Sequence, residues 1–211
     1  MMDRETAAQV MEELSRLYPD ARPELDFSNP FETLIATILS AQCTDKRVNQ
    51  CTEKLFPFYP DAHTMAKLTP EELEPHIKEC GLFHSKAKNI VAACRALVEL
   101  YDGEVPNDRE KLMALPGVGQ KTAGVVLMAA FGDPQIPVDT HVFRVSRRIG
   151  LADADTPEKV EAQLREILDR DIWIYGHHLL IWHGRRVCHA RKPECENCPL
   201  NSGLCGYCSE E

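Results

Sequence analysis

Leu115-Pro116-Gly117-Val118-Gly119-Gln120-Lys121-Thr122-Ala123, followed farther along by Pro137-Val138-Asp139-Thr140-His141, decides how this chain is read. Pro116 fixes φ, and two glycines one residue apart let the backbone turn sharply just before an apolar run that reads as a helix. Such a turn exposes backbone N–H groups at a helix N-terminus, where the helix dipole favours an anion such as phosphate. A bare Gly-x-Gly is equally what an ordinary connection between two helices needs. What sets this one apart is Lys121 in the first turn after it and Asp139, 18 positions beyond that lysine.

Outward from the hairpin, apolar residues recur at spacings of three and four over 6–17, 31–41, 87–101 and 157–168. Sustained alternation is scarce, so the pattern predicts an all-α fold. Asn29-Pro30, Thr69-Pro70-Glu71-Glu72 and Thr156-Pro157-Glu158 each put a capping side chain before a proline at the first helical position. Gly81, Gly103, Gly132 and Gly150 supply stops. No internal repeat or low-complexity linker marks a domain boundary.

The 211 residues, 44% of them hydrophobic, are enough for one or two domains with a buried core. The charged start Met1-Met2-Asp3-Arg4-Glu5 has neither signal-peptide nor transit character, and no segment approaches the length of a membrane span, so a cytoplasmic location is expected. A net charge of −9 argues mildly against a nucleic-acid partner. Its distribution matters more. Residues 183–193 carry Arg185, Arg186, Arg191 and Lys192 with no acid, while 153–171 hold seven acids against Lys159, Arg165 and Arg170. One face can therefore be basic, although charge runs are more often solvated helix faces.

Lys121 and Asp139 offer an amine and a carboxylate, and a primary amine, when neutral, is a nucleophile that can form a covalent imine. An ordinary lysine is neutral in only about one molecule in 2,500 at pH 7. The positive end of a helix disfavours an ammonium, partial burial acts in the same sense, and an ionised Asp139 nearby opposes both. Taken singly, Lys121 also reads as a phosphate-binding lysine and Asp139 as a plain N-cap.

Of nine cysteines, five lie between 188 and 208, in the pattern Cys188-x6-Cys195-x2-Cys198-x6-Cys205 with Cys208 beyond. That density means metal or disulfide, and a cytosolic setting argues against disulfides. Four thiolates fit zinc or an iron–sulfur cube, and spacing alone does not choose. Cys43, Cys51, Cys80 and Cys94 sit in apolar helical context and read as packing residues.

Blocks in one order over nearly the whole chain carry a resemblance: Ile38-Leu39-Ser40-Ala41-Gln42-Cys43-Thr44-Asp45, Gly81-Leu82-Phe83-His84-Ser85-Lys86-Ala87-Lys88-Asn89-Ile90, Gly103-Glu104-Val105-Pro106, the hairpin, Val138-Asp139-Thr140-His141-Val142-Phe143-Arg144-Val145, and the cysteine cluster. With these the chain resembles the helix-hairpin-helix DNA glycosylases, in their endonuclease III branch. The resemblance implies a helical barrel over about 22–133 carrying the helix-hairpin-helix motif (about 107–131), and a discontinuous domain of 1–21 plus 134–211 with a cluster loop at 188–205, flanking a cleft.

It further implies a bifunctional glycosylase and lyase that removes oxidised pyrimidines from duplex DNA and nicks the abasic site. Lys121 matches the nucleophile and Asp139 the essential carboxylate. Members that only remove adenine from mismatches lack the lysine. Gln42 matches the residue that fills the vacated space and Leu82 the apolar wedge. Asp45 and His141 match positions near the base pocket. Gly117, Val118, Gly119, Arg191 and Lys192 are expected to hold DNA phosphates, and Cys188, Cys195, Cys198 and Cys205 a [4Fe-4S] cluster that fixes the basic loop. The expected partner is damaged or abasic double-stranded DNA, bound by a monomer, with no membrane. Two departures stand out: Gly124, where many relatives have Asn, and six rather than five residues before Cys205. Another lesion, such as a pyrimidine dimer or a mismatched base, and a non-catalytic DNA-binding iron–sulfur protein remain alternatives.

Overall fold

The computed structural model describes residues 1–207, and all regular structure among them is helical. Contacts divide the chain into two units, one spanning Pro23–Asp133 and the other joining Met1–Arg22 to Pro134–Glu211. No helix among the described residues is long and apolar enough to cross a membrane.

The discontinuous unit opens with α1 (Arg4–Leu17), which starts where the Asp3 carboxylate accepts the Thr6 N–H at 2.8 Å. It buries Ala7, Val10, Met11 and Leu14, the stripe its spacing predicts. The central unit then runs through α2 (Pro30–Ser40), α3 (Asp45–Leu55), α4 (Ala62–Met65), α5 (Pro70–Ile77), α6 (Phe83–Tyr101), α7 (Arg109–Met113) and α8 (Gln120–Phe131). Leu34, Ile35 and Leu39 of α2 share a core with Leu55, Leu73, Ile77, Ile90 and Leu97. Each such side chain contributes about 1.5–3 kcal/mol of burial before entropy is counted. The proline starts hold: Asn29 accepts from Glu32 N–H at 2.9 Å, and Thr69 forms a reciprocal capping box with Glu72.

The discontinuous unit continues with α9 (Thr140–Ile149), α10 (Pro157–Ile167) and α11 (Trp173–Arg186), then short 3-10 turns at Cys195–Asn197 and Pro199–Ser202. α11 packs along α9 and on α1. Periodicity does not reveal it, because Gly176, His177, His178, Leu179, Leu180, His183 and Gly184 are all buried and leave no clean polar stripe. A Cβ on Gly184 would meet Val145 Cγ2 at 2.9 Å, so glycine there allows α11 to approach α9 closely.

Gly132 and Gly150 end α8 and α9 in the left-handed region, as predicted. α6 differs: it closes one residue early, on left-handed Asp102, with Gly103 following at φ +83°.

Candidate functional site

The hairpin joins α7 to α8. Val118 N–H donates to Leu115 O at 3.1 Å, closing the turn, and the Val118 side chain is buried. Gly117 has φ +78°, and a Cβ there would lie 2.8 Å from Asn89 Cβ, so both backbone and space demand glycine. Gly119 caps α8 in extended backbone, where an added Cβ would meet nothing within 4 Å, and it gives the start of the helix no side-chain capping hydrogen bond. Lys121 is the second residue of α8. Lys121 is exposed, so burial within the free chain does not act on its amine. Gly124, one turn on, is buried.

Asp139 belongs to the other unit and is the N-cap of α9. Its Oδ1 accepts both the His141 and the Val142 N–H at 2.8 Å, so the carboxylate is oriented by the backbone. The approach to it is fixed by His177 Nδ1, 2.9 Å from Pro137 O. His141 stands 3.3 Å through Nδ1 from Arg144 Nη2. Burial pushes its imidazole below the ordinary value, and Asp139 partly opposes that.

In the central unit, Gln42 and Leu82 lie in two connections, before α3 and before α6. Both are exposed, Leu82 at 58%, and both are left-handed, with φ +52° and +46°. The non-glycine residues with positive φ among the described residues are these two, Asp102 and Lys192. Three of those four are residues expected to touch DNA, and strained backbone of this kind persists only where its surroundings hold it. Asp45, the first residue of α3, is half-buried and borders a broad surface hollow with Glu24, Asp26, Glu32, Lys46 and Glu53.

The C-terminal loop is tied to α9 by two arginines whose role the sequence does not announce. Arg144 donates to Cys188 O at 3.1 and 3.0 Å and to Gly184 O at 2.8 Å. Arg148 donates to His189 O at 2.6 Å and Ala190 O at 3.1 Å. Arg191 and Lys192 follow directly and are exposed, whereas Arg186 lies 3.8 Å over the Trp182 ring.

Cys188, Cys195, Cys198 and Cys205 are unbridged and line one small pocket, with Arg148, His183 and Tyr207 on its walls. A tetrahedral zinc would draw sulfurs to within about 3.8 Å of one another. Among the described residues no three Cys, His, Asp or Glu side chains stand close enough to share one ion. Four thiols on one pocket are the donor set that an iron–sulfur cube takes. Burial pushes the Cys198 thiol up, and Cys205, Cys188 and Cys195 add to it, a repulsion that bound iron would relieve. Cys208 lies outside the described residues.

Residues 35–170 match the HhH-GPD superfamily of base excision DNA repair proteins, and residues 188–205 match the iron-sulfur binding domain of endonuclease III. The chain belongs to the endonuclease III family. It is 48% identical over 206 residues to endonuclease III of Rickettsia conorii, covering 98% of each chain. To endonuclease III of Escherichia coli K12 it is 46% identical over 206 residues, 98% of this chain and 97% of the relative. A solved structure of a trapped endonuclease III–DNA covalent intermediate matches with a TM-score of 0.95 and 45% identity, over 100% of this chain and 99% of that one. The cofactor of this family member is a [4Fe-4S] cluster.

One residue of the matching blocks carries no assigned role from sequence. Lys86 is 5% exposed, with its ammonium between the carbonyls of Leu39 and Cys80. Lysine ordinarily reads as a solvated charge, so nothing in its residue type reveals this.

Proposed function

We propose that this enzyme removes oxidised pyrimidines from duplex DNA and cleaves the resulting abasic site, with Lys121 as nucleophile and Asp139 as the assisting carboxylate. The observation that carries the reading is Lys121 as the second residue of a helix that starts on Gly119, straight after the hairpin, with no side-chain cap on its N-terminus. The neutral Lys121 amine adds to C1′ as the base leaves with the bonding electrons. The iminium that follows loses a proton from C2′, and the C3′–O bond breaks to release the 3′ phosphate. Asp139, oriented by two N–H groups, stabilises the oxocarbenium-like charge or relays the protons. Because Lys121 is exposed in the free chain, desolvation of its amine comes from the DNA laid over it.

Gln42 and Leu82 occupy the space vacated by the extruded nucleotide, Gln42 hydrogen-bonding the orphan base and Leu82 wedging apart its neighbours. Asp45 and His141 meet the extruded base. Gly117, Val118, Gly119, Arg191 and Lys192 hold phosphates. Cys188, Cys195, Cys198 and Cys205 hold the cluster, which when bound supplies a rigid anchor for the basic loop. The two contact units are the barrel domain bearing the hairpin and the discontinuous domain bearing the cluster loop. The enzyme acts as a monomer on cytoplasmic DNA. A panel of duplexes with single lesions tests the substrate: oxidised pyrimidines should be excised and nicked fastest, and faster cutting of a pyrimidine dimer or a mismatched base would replace this reading with that one.

A further inference from the structure

An ammonium buried without a carboxylate partner is an expensive component of a core. Lys86 lies in the first turn of α6, where its own N–H bonds Leu82 O at 3.0 Å. Its Nζ donates to Leu39 O at 2.8 Å and to Cys80 O at 2.7 Å. The ionisable groups acting on it are the thiols of Cys43, Cys80 and Cys51, and burial pushes the amine below its ordinary value. The charge is therefore held by carbonyl dipoles. Filling this space for stability alone would favour an apolar side chain.

The two carbonyls are placed to matter. Leu39 is in the last turn of α2, where carbonyls lack an intrahelical partner, and Cys80 ends the 3-10 turn Lys78–Cys80. Two residues separate Leu39 from Gln42, and one, Gly81, separates Cys80 from Leu82. Gln42 and Leu82 are the exposed left-handed residues of these same connections. A left-handed non-glycine residue costs roughly 1 kcal/mol or more and needs outside support.

We propose that Lys86 is a positioning residue for base extrusion: its ammonium clamps the end of α2 to the Lys78–Cys80 turn and so fixes the separation at which Gln42 and Leu82 enter DNA together. The inference rests on the insertion roles given to Gln42 and Leu82 above. Without the clamp each connection still reaches the duplex, but the two no longer arrive at one spacing.

The test is a double-mutant cycle on the full, cluster-loaded protein, read by single-turnover excision at saturating enzyme. Lys86→Met should slow excision about tenfold or more while plain-duplex affinity stays within about twofold. It should also abolish the fluorescence rise of 2-aminopurine placed beside the lesion, a signal of unstacking that a general loss of stability does not move. Lys86→Gln, a neutral donor, should recover part of both. In a Gln42→Ala/Leu82→Ala background, Lys86→Met should cost less than about twofold further. Equal losses in both backgrounds, or an unchanged rate in the wild-type background, would overturn the clamp. If Lys86→Met does not fold, Lys86→Gln takes its place in the cycle, and equal losses in both backgrounds again overturn the clamp. An inactive wild type would instead remove the functional reading on which the clamp depends.

Discussion

At Asp139 one carboxylate oxygen accepts two backbone N–H groups at 2.8 Å, so capping and catalysis draw on the same side chain. Asp139→Asn separates them, because an amide oxygen still caps the helix but carries no charge to stabilise a developing oxocarbenium ion. Lesion binding should persist while excision falls about a hundredfold or more, measured by binding and single-turnover rates on one duplex. Survival of activity within a few-fold would reduce Asp139 to a cap and turn attention to Asp45. Residue types report some of this geometry directly. Gly117 and Gly132 announce left-handed backbone because little else tolerates it. Gln42 and Leu82 adopt the same backbone with nothing in their types to say so, and the burial of Lys86 arises from tertiary packing that no local pattern encodes.

Among the elements, α1, α6 and α10 are legible because each has one apolar stripe and a proline, glycine or acidic cap at an end, and α2, buried on nearly every side, is legible from its Asn29-Pro30 start. α11 is hidden, since it is buried on several sides and also starts without a capping side chain or a proline. The cluster loop shows the complementary case: its cysteine spacing is plain, but the arginines that fasten it to α9 are visible only in three dimensions. Cys205 lines the same cavity as the other three thiols. Cys205→Ser should therefore lower bound iron below about four per chain and bleach the visible thiolate-to-iron absorption, and Cys208→Ser should leave both unchanged. Iron analysis and absorption spectra of the two variants check this, and loss of colour with Cys208→Ser alone would reassign the fourth ligand.

Over the whole molecule, a net charge of −9 has to coexist with an affinity for phosphates. The exposed Arg191 and Lys192 on the anchored loop provide a local remedy. Arg191→Glu with Lys192→Glu should weaken lesion and plain DNA alike and flatten the salt dependence of binding; unchanged titrations would return these charges to a solvated surface. Stability should also depend on pH. Burial holds the His178 imidazole down at about 3, with His177 acting in the same direction, against an ordinary value of 6.5. The unfolded chain takes up a proton that the folded chain refuses. This contribution is thus intact above about pH 6.5 and is lost as pH falls toward 3, at about 1.4 kcal/mol per unit. Denaturation midpoints for wild type and His178→Leu across that window should diverge accordingly. The central claim, a covalent imine from Lys121, is tested most directly by borohydride reduction during turnover on an oxidised-pyrimidine duplex, followed by peptide mapping. A stable protein–DNA adduct on Lys121 is predicted, absent in Lys121→Gln although that variant still binds the lesion. No adduct on lesion or abasic DNA, or an adduct mapped to another amine, would contradict it.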